Sequence, residues 1–125
     1  MAEKQVLNDK EISHELSKMI GELALEKQAE DIVVMDVSKI AGFTNYFVIA
    51  TATSDVHMQS LADYIEDELS QYKVKVWHKE GFENRKWILL DFVDVVLHLF
   101  DSETREFYDL ETLWADAEKT IIRDE

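Results

Sequence analysis

Two adjacent segments of alternating side chains, residues 87–91 and 95–100, constrain the fold of this chain more than any other feature. Successive side chains of a strand point to opposite faces of a sheet. One face of this pair is therefore apolar, with Ile88, Leu90, Phe92, Val95, Leu97 and Leu99. The opposite face mixes aromatic, aliphatic and polar groups, namely Trp87, Leu89, Asp91, Val96, His98 and Phe100. The pattern predicts two paired strands with one face in the core.

The mixed face has two interpretations. Aromatic residues with a few polar neighbours are typical of the buried centre of a protein interface. On that interpretation, the candidates for binding a protein partner are Trp87, Leu89, Asp91, His98 and Phe100. On the other interpretation, helices cover both faces of the sheet, and Asp91 and His98 are hydrogen-bonded inside the protein. The alternation alone gives the two interpretations similar weight.

Length and composition are those of a single globular domain. The chain has 125 residues, of which 46% are hydrophobic and 32% charged, which suits one core rather than two. The absence of cysteine excludes disulfides and thiolate metal sites. The first residues lack a basic segment followed by an apolar run, and no apolar segment approaches membrane length. We therefore expect an untargeted cytoplasmic protein without a membrane partner.

The formal charge of −14 argues against general binding to nucleic-acid backbones, which requires positive charge, and suits a basic protein partner. Residues 73–86 are the exception, with five basic and two acidic side chains. Within this segment, the candidates for a peripheral RNA contact are Trp77, Lys79, Arg85 and Lys86. Lysines on an edge strand more often serve to prevent edge-to-edge pairing of sheets, and we favour that interpretation.

Hydrophobic periodicity predicts the element order α-β-β-α-β-β-β-α in one domain, residues 1–125. The first helix should run from Asn8, which with Glu11 fits an N-terminal capping arrangement, to about Lys27. The second helix should run from Thr53 or Ser54 to about Tyr72. Strands are predicted at residues 31–37, 46–51, 73–78, 87–91 and 95–100, short helical turns at 102–114, and a charged tail or frayed helix at 115–125. We expect an α/β fold with a mixed five-stranded sheet, its core within residues 8–114. If both long helices lie on one face, the other is free for a partner.

The aromatic segment before the predicted tail also has two interpretations. Phe107, Tyr108 and Trp114 have partly helical spacing, so packing in the core is their default explanation. The alternative is that these three residues form the seam of a homodimer.

An ordered set of motifs across residues 8–114 resembles the ribosomal silencing factor family, also called the RsfS or Iojap-like proteins. The motifs are Asp31-Ile-Val-Val-Met-Asp-Val37, Phe43-Thr-Asn-Tyr-Phe-Val-Ile-Ala-Thr51, Thr53-Ser-Asp-Val-His57, Glu80-Gly81, Trp87-Ile-Leu-Leu-Asp91, Asp94-Val-Val-Leu-His98 and Arg105-Glu-Phe-Tyr-Asp-Leu-Glu-Thr-Leu-Trp114. Each motif alone is weakly specific, whereas the set in this order and spacing is highly specific.

The resemblance implies a fold related to the nucleotidyltransferases without their catalytic residues. It also implies binding to ribosomal protein fourteen of the large ribosomal subunit, which blocks joining of the small subunit and represses translation when nutrients are scarce. A companion role in large-subunit biogenesis is compatible with that mechanism, and several family members form homodimers. The family's contact surface includes the tryptophan matched here by Trp87, which lies on the mixed face.

Two positions depart from the family pattern. Ala52 stands where the family commonly has glycine, which implies that this turn does not need a positive φ. Val93 stands where many members have glycine between the two strands. Because valine disfavours positive φ, we expect a different type of turn at Val93.

An enzyme is the main alternative class, with a generic dimeric adaptor as the third. Metal-dependent nucleotidyl transfer needs clustered carboxylates for Mg²⁺ and a glycine-containing loop at a helix start for phosphate. The available carboxylates are Asp36, Asp91 and Asp94, and the available loop, residues 52–55, lacks glycine and carries an acid. The four histidines have no zinc-ligand spacing. We therefore predict no catalytic residue, no metal and no cofactor.

Overall fold

The computed structural model describes residues 9–124, which form a six-stranded mixed sheet with two long helices on one face. The elements are α1 (Asp9–Glu26), β1 (Glu30–Asp36), β2 (Tyr46–Thr51), α2 (Asp55–Ser70), β3 (His78–Glu80), β4 (Trp87–Asp91), β5 (Val95–Phe100), α3 (Ser102–Tyr108), α4 (Leu110–Leu113) and β6 (Glu118–Ile122). The predicted helix cap at Asn8 lies outside the described residues. No helix between residues 9 and 124 is long and apolar enough to cross a membrane.

Both long helices form where the apolar periodicity predicts them. The Ser54 hydroxyl caps α2 by accepting a hydrogen bond from the backbone N–H of His57 at 3.0 Å, which satisfies a free donor of the first turn. The predicted stripe of α2 is fully buried, namely Met58, Leu61, Ala62, Ile65 and Leu69. In α1 the stripe is buried from Ile20 onward, whereas Ile12 is 52% exposed.

The strand order is β3-β4-β5-β2-β1-β6. β2 and β5 are parallel, with Tyr46 opposite Val95 and Thr51 opposite Phe100, and all other pairs are antiparallel. The chain leaves β2, passes through α2 and the hairpin of β3 and β4, and returns beside β2 as β5. The prediction of a mixed sheet is thereby confirmed.

The prediction of five strands was wrong, because residues 118–122 form a sixth strand instead of a charged tail or frayed helix. β6 pairs antiparallel with β1, with Glu118 opposite Asp36 and Ile122 opposite Ile32. Its side chains are exposed except for the half-buried Ile122. Pairing with the edge of β1 forms this strand, and its own sequence shows no apolar face.

The third strand was also misplaced. It covers His78–Glu80 instead of residues 73–78. Lys73 has a φ of 66°, and the N–H of Val74 bonds back to the carbonyl of Leu69 at 3.0 Å, which closes the end of α2. The apolar residues of this segment pack on the core from a loop, so alternation there did not mean a strand.

The two faces of the sheet carry different cores. The larger core lies against α1 and α2 and contains the predicted apolar face of β4 and β5, namely Ile88, Leu90, Phe92, Val95, Leu97 and Leu99. The smaller core lies on the opposite face, where Leu110 and Trp114 cover buried side chains such as Phe47 and Phe100. The segment from α3 to α4 therefore covers part of the face that the two long helices leave free.

Candidate partner-binding face

The sheet face opposite α1 and α2, here called the aromatic face, is open along β4. Trp87, Leu89 and Asp91 are half-buried, and they alternate with the fully buried Ile88 and Leu90. β3 beyond them is only three residues long, and all three are exposed. The three β4 side chains therefore present partly apolar surface near one edge of the sheet.

The aromatic rings of this face form a continuous array. The Trp87 ring lies 4.8 Å from the rings of both Phe100 and Tyr108. The Phe47 ring is 4.7 Å from that of His98 and 5.5 Å from that of Trp114, both in edge-to-face geometry. Such contacts add to the stability given by burial alone. The array holds Trp87 on one side and Trp114 on the other in fixed positions.

His98 accepts a hydrogen bond from Trp87 within this array. The indole Nε1–H donates to His98 Nδ1 at 3.1 Å, which places the imidazole proton of neutral His98 on Nε2. Nε2 is buried without a hydrogen-bond partner. Burial lowers the pKa of His98 from 6.5 to about 3. The side chain is therefore neutral at physiological pH.

The five residues predicted to bind a protein partner divide into two groups. Trp87, Leu89 and Asp91 reach the surface, whereas His98 is 5% exposed and Phe100 is 0% exposed. His98 and Phe100 are buried next to Trp87 and cannot reach a partner unless neighbouring side chains move. The interpretation of a covered face therefore fits His98 and Phe100, whereas the interpretation as a protein interface stays a prediction for Trp87, Leu89 and Asp91.

A groove of about 500 Å³ borders Trp87 on the side of α3. It is lined by Gly81, Asn84, Lys86, Trp87, Glu103, Thr104, Phe107 and Tyr108. Gly81 has a φ of 91°, and a Cβ there would lie 1.9 Å from the carbonyl oxygen of Trp87. Only glycine allows the loop to approach β4 this closely.

The residues predicted to form a dimer seam do not lie together. Phe107 is 78% exposed and Tyr108 is 50% exposed, and their rings are 5.0 Å apart beside Trp87. Trp114 instead packs against Phe47 and against Phe43, which is itself 63% exposed. Phe107 and Tyr108 thus remain a candidate seam, whereas Trp114 lies apart from them.

The four candidates for an RNA contact also separate. Lys79 points toward the helices and pairs with Glu66 of α2 at 3.1 Å. The Arg85 Nε–H donates to the carbonyl of Phe82 at 3.3 Å, and Lys86 lines the groove beside Trp87. Trp77 is 72% exposed, and its N–H bonds to the carbonyl of Asp91 at 2.8 Å. They do not form one basic patch.

Comparisons with known proteins agree with this architecture. The profile of a family described as "Ribosomal silencing factor during starvation" matches residues 10–125, which include all of β1 to β6 and the whole aromatic face. The chain belongs to the ribosomal silencing factor family.

Relatives of this chain come from bacteria and from mouse. The chain is 39% identical to ribosomal silencing factor RsfS of Bacillus subtilis over 92 residues, which is 74% of this chain and 78% of that protein. It is 35% identical to the mouse protein named mitochondrial assembly of ribosomal large subunit protein 1, over 77% of this chain and 43% of that protein. The crystal structure of a protein from Chromobacterium violaceum aligns with a TM-score of 0.79 at 29% sequence identity. The alignment covers 89% of this chain and 92% of that protein's chain.

The two departures of this chain from the family pattern have different outcomes. Ala52 has no positive φ, as expected. Val93, however, has a φ of 78°, so valine adopts here the positive backbone angle that it disfavours, and a different turn type from other members stays a prediction. The N–H of Asp94 bonds to the carbonyl of Phe92 at 3.0 Å, which closes a γ-turn around Val93. The Asp91 carboxylate accepts from the N–H of Val93 at 2.7 Å and helps to hold this turn.

The carboxylates considered for an enzyme cannot share one metal ion. Asp36 of β1 points toward α1, where it pairs with Lys10 at 3.1 Å, whereas Asp91 of β4 lies on the aromatic face. With two strands between them in the sheet order, they are roughly 14 Å apart. Among residues 9–124, no three His, Cys, Asp or Glu side chains are grouped closely enough to hold a metal. In the loop considered for phosphate binding, residues 52–55, the Ser54 hydroxyl already caps α2.

Sequence reasoning missed three residues that build this face. Phe47 was assigned to a buried strand without a face, although the parallel register opposite Val96 brings it onto the aromatic face. Phe43 extends the array from the loop before β2. Arg105 anchors α3 by donating to the carbonyl of Asp31 at 2.6 Å and to the Thr51 hydroxyl at 2.9 Å. Arg105 carried a signal, since it is the one basic residue of the family motif that runs from Arg105 to Trp114.

Proposed function

We propose that this protein binds ribosomal protein fourteen of the large ribosomal subunit through the open part of its aromatic face. Bound there, it blocks joining of the small subunit by its bulk and represses translation when nutrients are limiting. The observation that carries the proposal is the position of Trp87 and Leu89, which present apolar surface at the edge of a rigid aromatic array. Large aromatic side chains at the centre of such a surface are typical of the residues that dominate binding.

The charge of the chain supports a basic partner. A formal charge of −14 favours approach to a basic ribosomal protein and disfavours RNA as the main target. The exposed Lys86 beside Trp87 would at most add a peripheral contact with ribosomal RNA. The proposal assigns the protein to the cytoplasm, where bacterial ribosomes assemble and translate.

Large-subunit biogenesis is a compatible second role. The name of the mouse relative refers to mitochondrial assembly of the ribosomal large subunit. A factor that covers the joining surface of a mature particle would also keep an immature particle from joining too early. We propose that the same face serves both roles, and that the mechanism requires no chemical step.

Self-association is a further part of the proposal. Phe107 and Tyr108 are exposed aromatic side chains on one end of α3, and solvent exposure of two adjacent rings favours their burial in a homodimer. Trp114, the third predicted seam residue, is half-buried against Phe47 and would contribute less.

Co-sedimentation with separated ribosomal subunits tests the binding face. We expect the protein to sediment with large subunits only, and Leu89→Asp to abolish this because it puts a charge in the centre of the apolar surface. Val56→Asp is the matched control, since Val56 is 70% exposed on α2, on the other side of the sheet. Equal binding by both variants would contradict the proposed face.

Two measurements on the same purified protein distinguish the proposed function from a generic adaptor and from an enzyme. A generic dimeric adaptor would not distinguish large from small subunits in co-sedimentation. A nucleotide-transferring enzyme would bind nucleoside triphosphate with Mg²⁺ in calorimetry, whereas we expect no heat of binding. Heat of binding together with failure to sediment with large subunits would replace our proposal by the enzyme.

A further inference from the structure

The buried His98 is connected to the surface residue Trp87 by one hydrogen bond. The indole Nε1–H donates to His98 Nδ1 at 3.1 Å, across the register that places Trp87 opposite Phe100 and Leu89 opposite His98. His98 is itself fixed by its ring contact with Phe47 at 4.7 Å. The acceptor of this bond therefore belongs to a side chain with little freedom to move.

We infer that His98 is a positioning residue, which holds the Trp87 indole in the orientation that a ribosomal partner binds. This inference rests on the proposed function of the aromatic face. A bulky ring at a sheet edge has several rotamers, and ordering it during binding would cost free energy. The bond to His98 selects one orientation before the partner arrives, and the rings of Phe100 and Tyr108 each contact the indole, both at 4.8 Å.

The bond also determines what Trp87 offers to a partner. Tryptophan has a single side-chain donor and no acceptor, and His98 already occupies that donor. Trp87 therefore presents only ring surface to a partner and needs no hydrogen-bond acceptor opposite its indole. The complementary site should be an apolar pocket or a cation above the ring.

A purely structural role for His98 is the competing explanation, and it makes the opposite prediction for two variants. His98→Phe keeps a ring against Phe47 and Phe100 but removes the acceptor. His98→Asn removes the ring but puts a carbonyl oxygen the same number of bonds from the backbone as Nδ1. If orientation of Trp87 matters, the asparagine variant retains function and the phenylalanine variant loses it. If packing alone matters, the order is reversed.

The experiment measures hydrogen exchange of the Trp87 indole N–H, and binding to large subunits, in the same set of protein variants. In ¹⁵N-labelled protein the three tryptophans give separate indole signals, and Trp87→Phe identifies the one that belongs to Trp87. We expect His98→Phe to speed hydrogen exchange of this indole about fivefold, the effect of one lost hydrogen bond, and to weaken binding to large subunits by a similar factor. His98→Asn should restore both values to within about twofold of the wild type. Thermal unfolding confirms that each variant is folded at the temperature used.

Unchanged indole exchange and binding in folded His98→Phe, or loss of binding in His98→Asn with binding kept in His98→Phe, would overturn the positioning role while leaving the proposed function intact. If Trp87→Ala binds large subunits as tightly as the wild type, the proposed face and this inference are both overturned. Loss of binding in Trp87→Ala, with about fivefold weaker binding in His98→Phe and binding close to the wild type in His98→Asn, supports both.

Discussion

At the scale of single residues, Val93 holds a strained turn next to the proposed binding face. Its φ of 78° is unfavourable for a β-branched side chain and costs about 1–3 kcal/mol. Val93→Gly removes this strain, and since Val93 is 52% exposed, little burial is lost. Glycine also lowers stability by about 0.5–1 kcal/mol through the entropy of the unfolded chain. We expect a net gain of about 1 kcal/mol in the free energy of unfolding, measured with urea.

Val93→Ala is the control for this prediction. Alanine removes the branched side chain but keeps a Cβ at the positive φ, so it should gain less stability than glycine. A Val93→Gly protein no more stable than the wild type would show that the strain of the turn does not exceed the entropic cost of glycine.

His98 makes the stability of the protein depend on pH. The pKa of its side chain is about 3 in the folded protein and about 6.5 in the unfolded chain. Between these values the unfolded chain binds a proton that the folded protein does not, so stability falls as the pH falls below 6.5. From pH 7 to pH 5, we expect the wild type to lose about 2 kcal/mol more than His98→Phe in urea unfolding. Identical losses would mean that His98 is not buried as a neutral group.

Residue-level expectations from the sequence succeeded where alternation determines a side chain's position. The apolar face of β4 and β5 was predicted completely, because each residue points to one side or the other. Alternation cannot tell whether a second layer covers the other face. His98 and Phe100 were therefore grouped with Trp87, although they are only 5% and 0% exposed and Trp87 is half-buried.

At the scale of secondary-structure elements, Arg105 connects α3 to the sheet. Its side chain is 12% exposed and pairs with Glu111 at 2.6 Å, while it donates to the carbonyl of Asp31 and the hydroxyl of Thr51. Removing a buried charged donor leaves its acceptors without partners. We expect Arg105→Ala to lower the free energy of unfolding by about 3 kcal/mol.

The pair of Lys79 and Glu66 provides the comparison for Arg105. Their side chains are 49% and 28% exposed, and such surface pairs contribute less than about 1 kcal/mol. Urea unfolding of Lys79→Ala beside Arg105→Ala measures the difference. Similar losses in the two variants would contradict the anchoring role of Arg105.

Elements were predictable where their own sequence contains an apolar pattern. α2 and β2 begin within a residue of their predicted starts, because a capping serine and an apolar run mark them. β6 has no such pattern and forms by pairing with β1, which no local reading of residues 115–125 reveals. The prediction of β3 failed for the opposite reason. An apolar pattern is present before it, but these valines pack on the core from a loop.

At the scale of the whole molecule, the sheet separates two functions. One face is filled by α1 and α2 and stabilises the fold. The other is only partly covered, by Leu110 and Trp114 at one side, and leaves β4 open at the other. The mixed topology could be predicted from the order of elements. The partial cover could not, because it depends on where the segment after β5 crosses the sheet before it returns as β6.

The most direct test of the account is a subunit-joining assay, in which light scattering follows the association of purified large and small subunits. We predict that wild-type protein preincubated with large subunits prevents joining in proportion to its concentration, whereas folded Trp87→Ala has little effect. Val56→Asp, altered on the helical side of the sheet, should inhibit like the wild type. Unimpeded joining with saturating wild-type protein, or equal inhibition by Trp87→Ala, would contradict the claim that this face represses translation by occupying the large subunit.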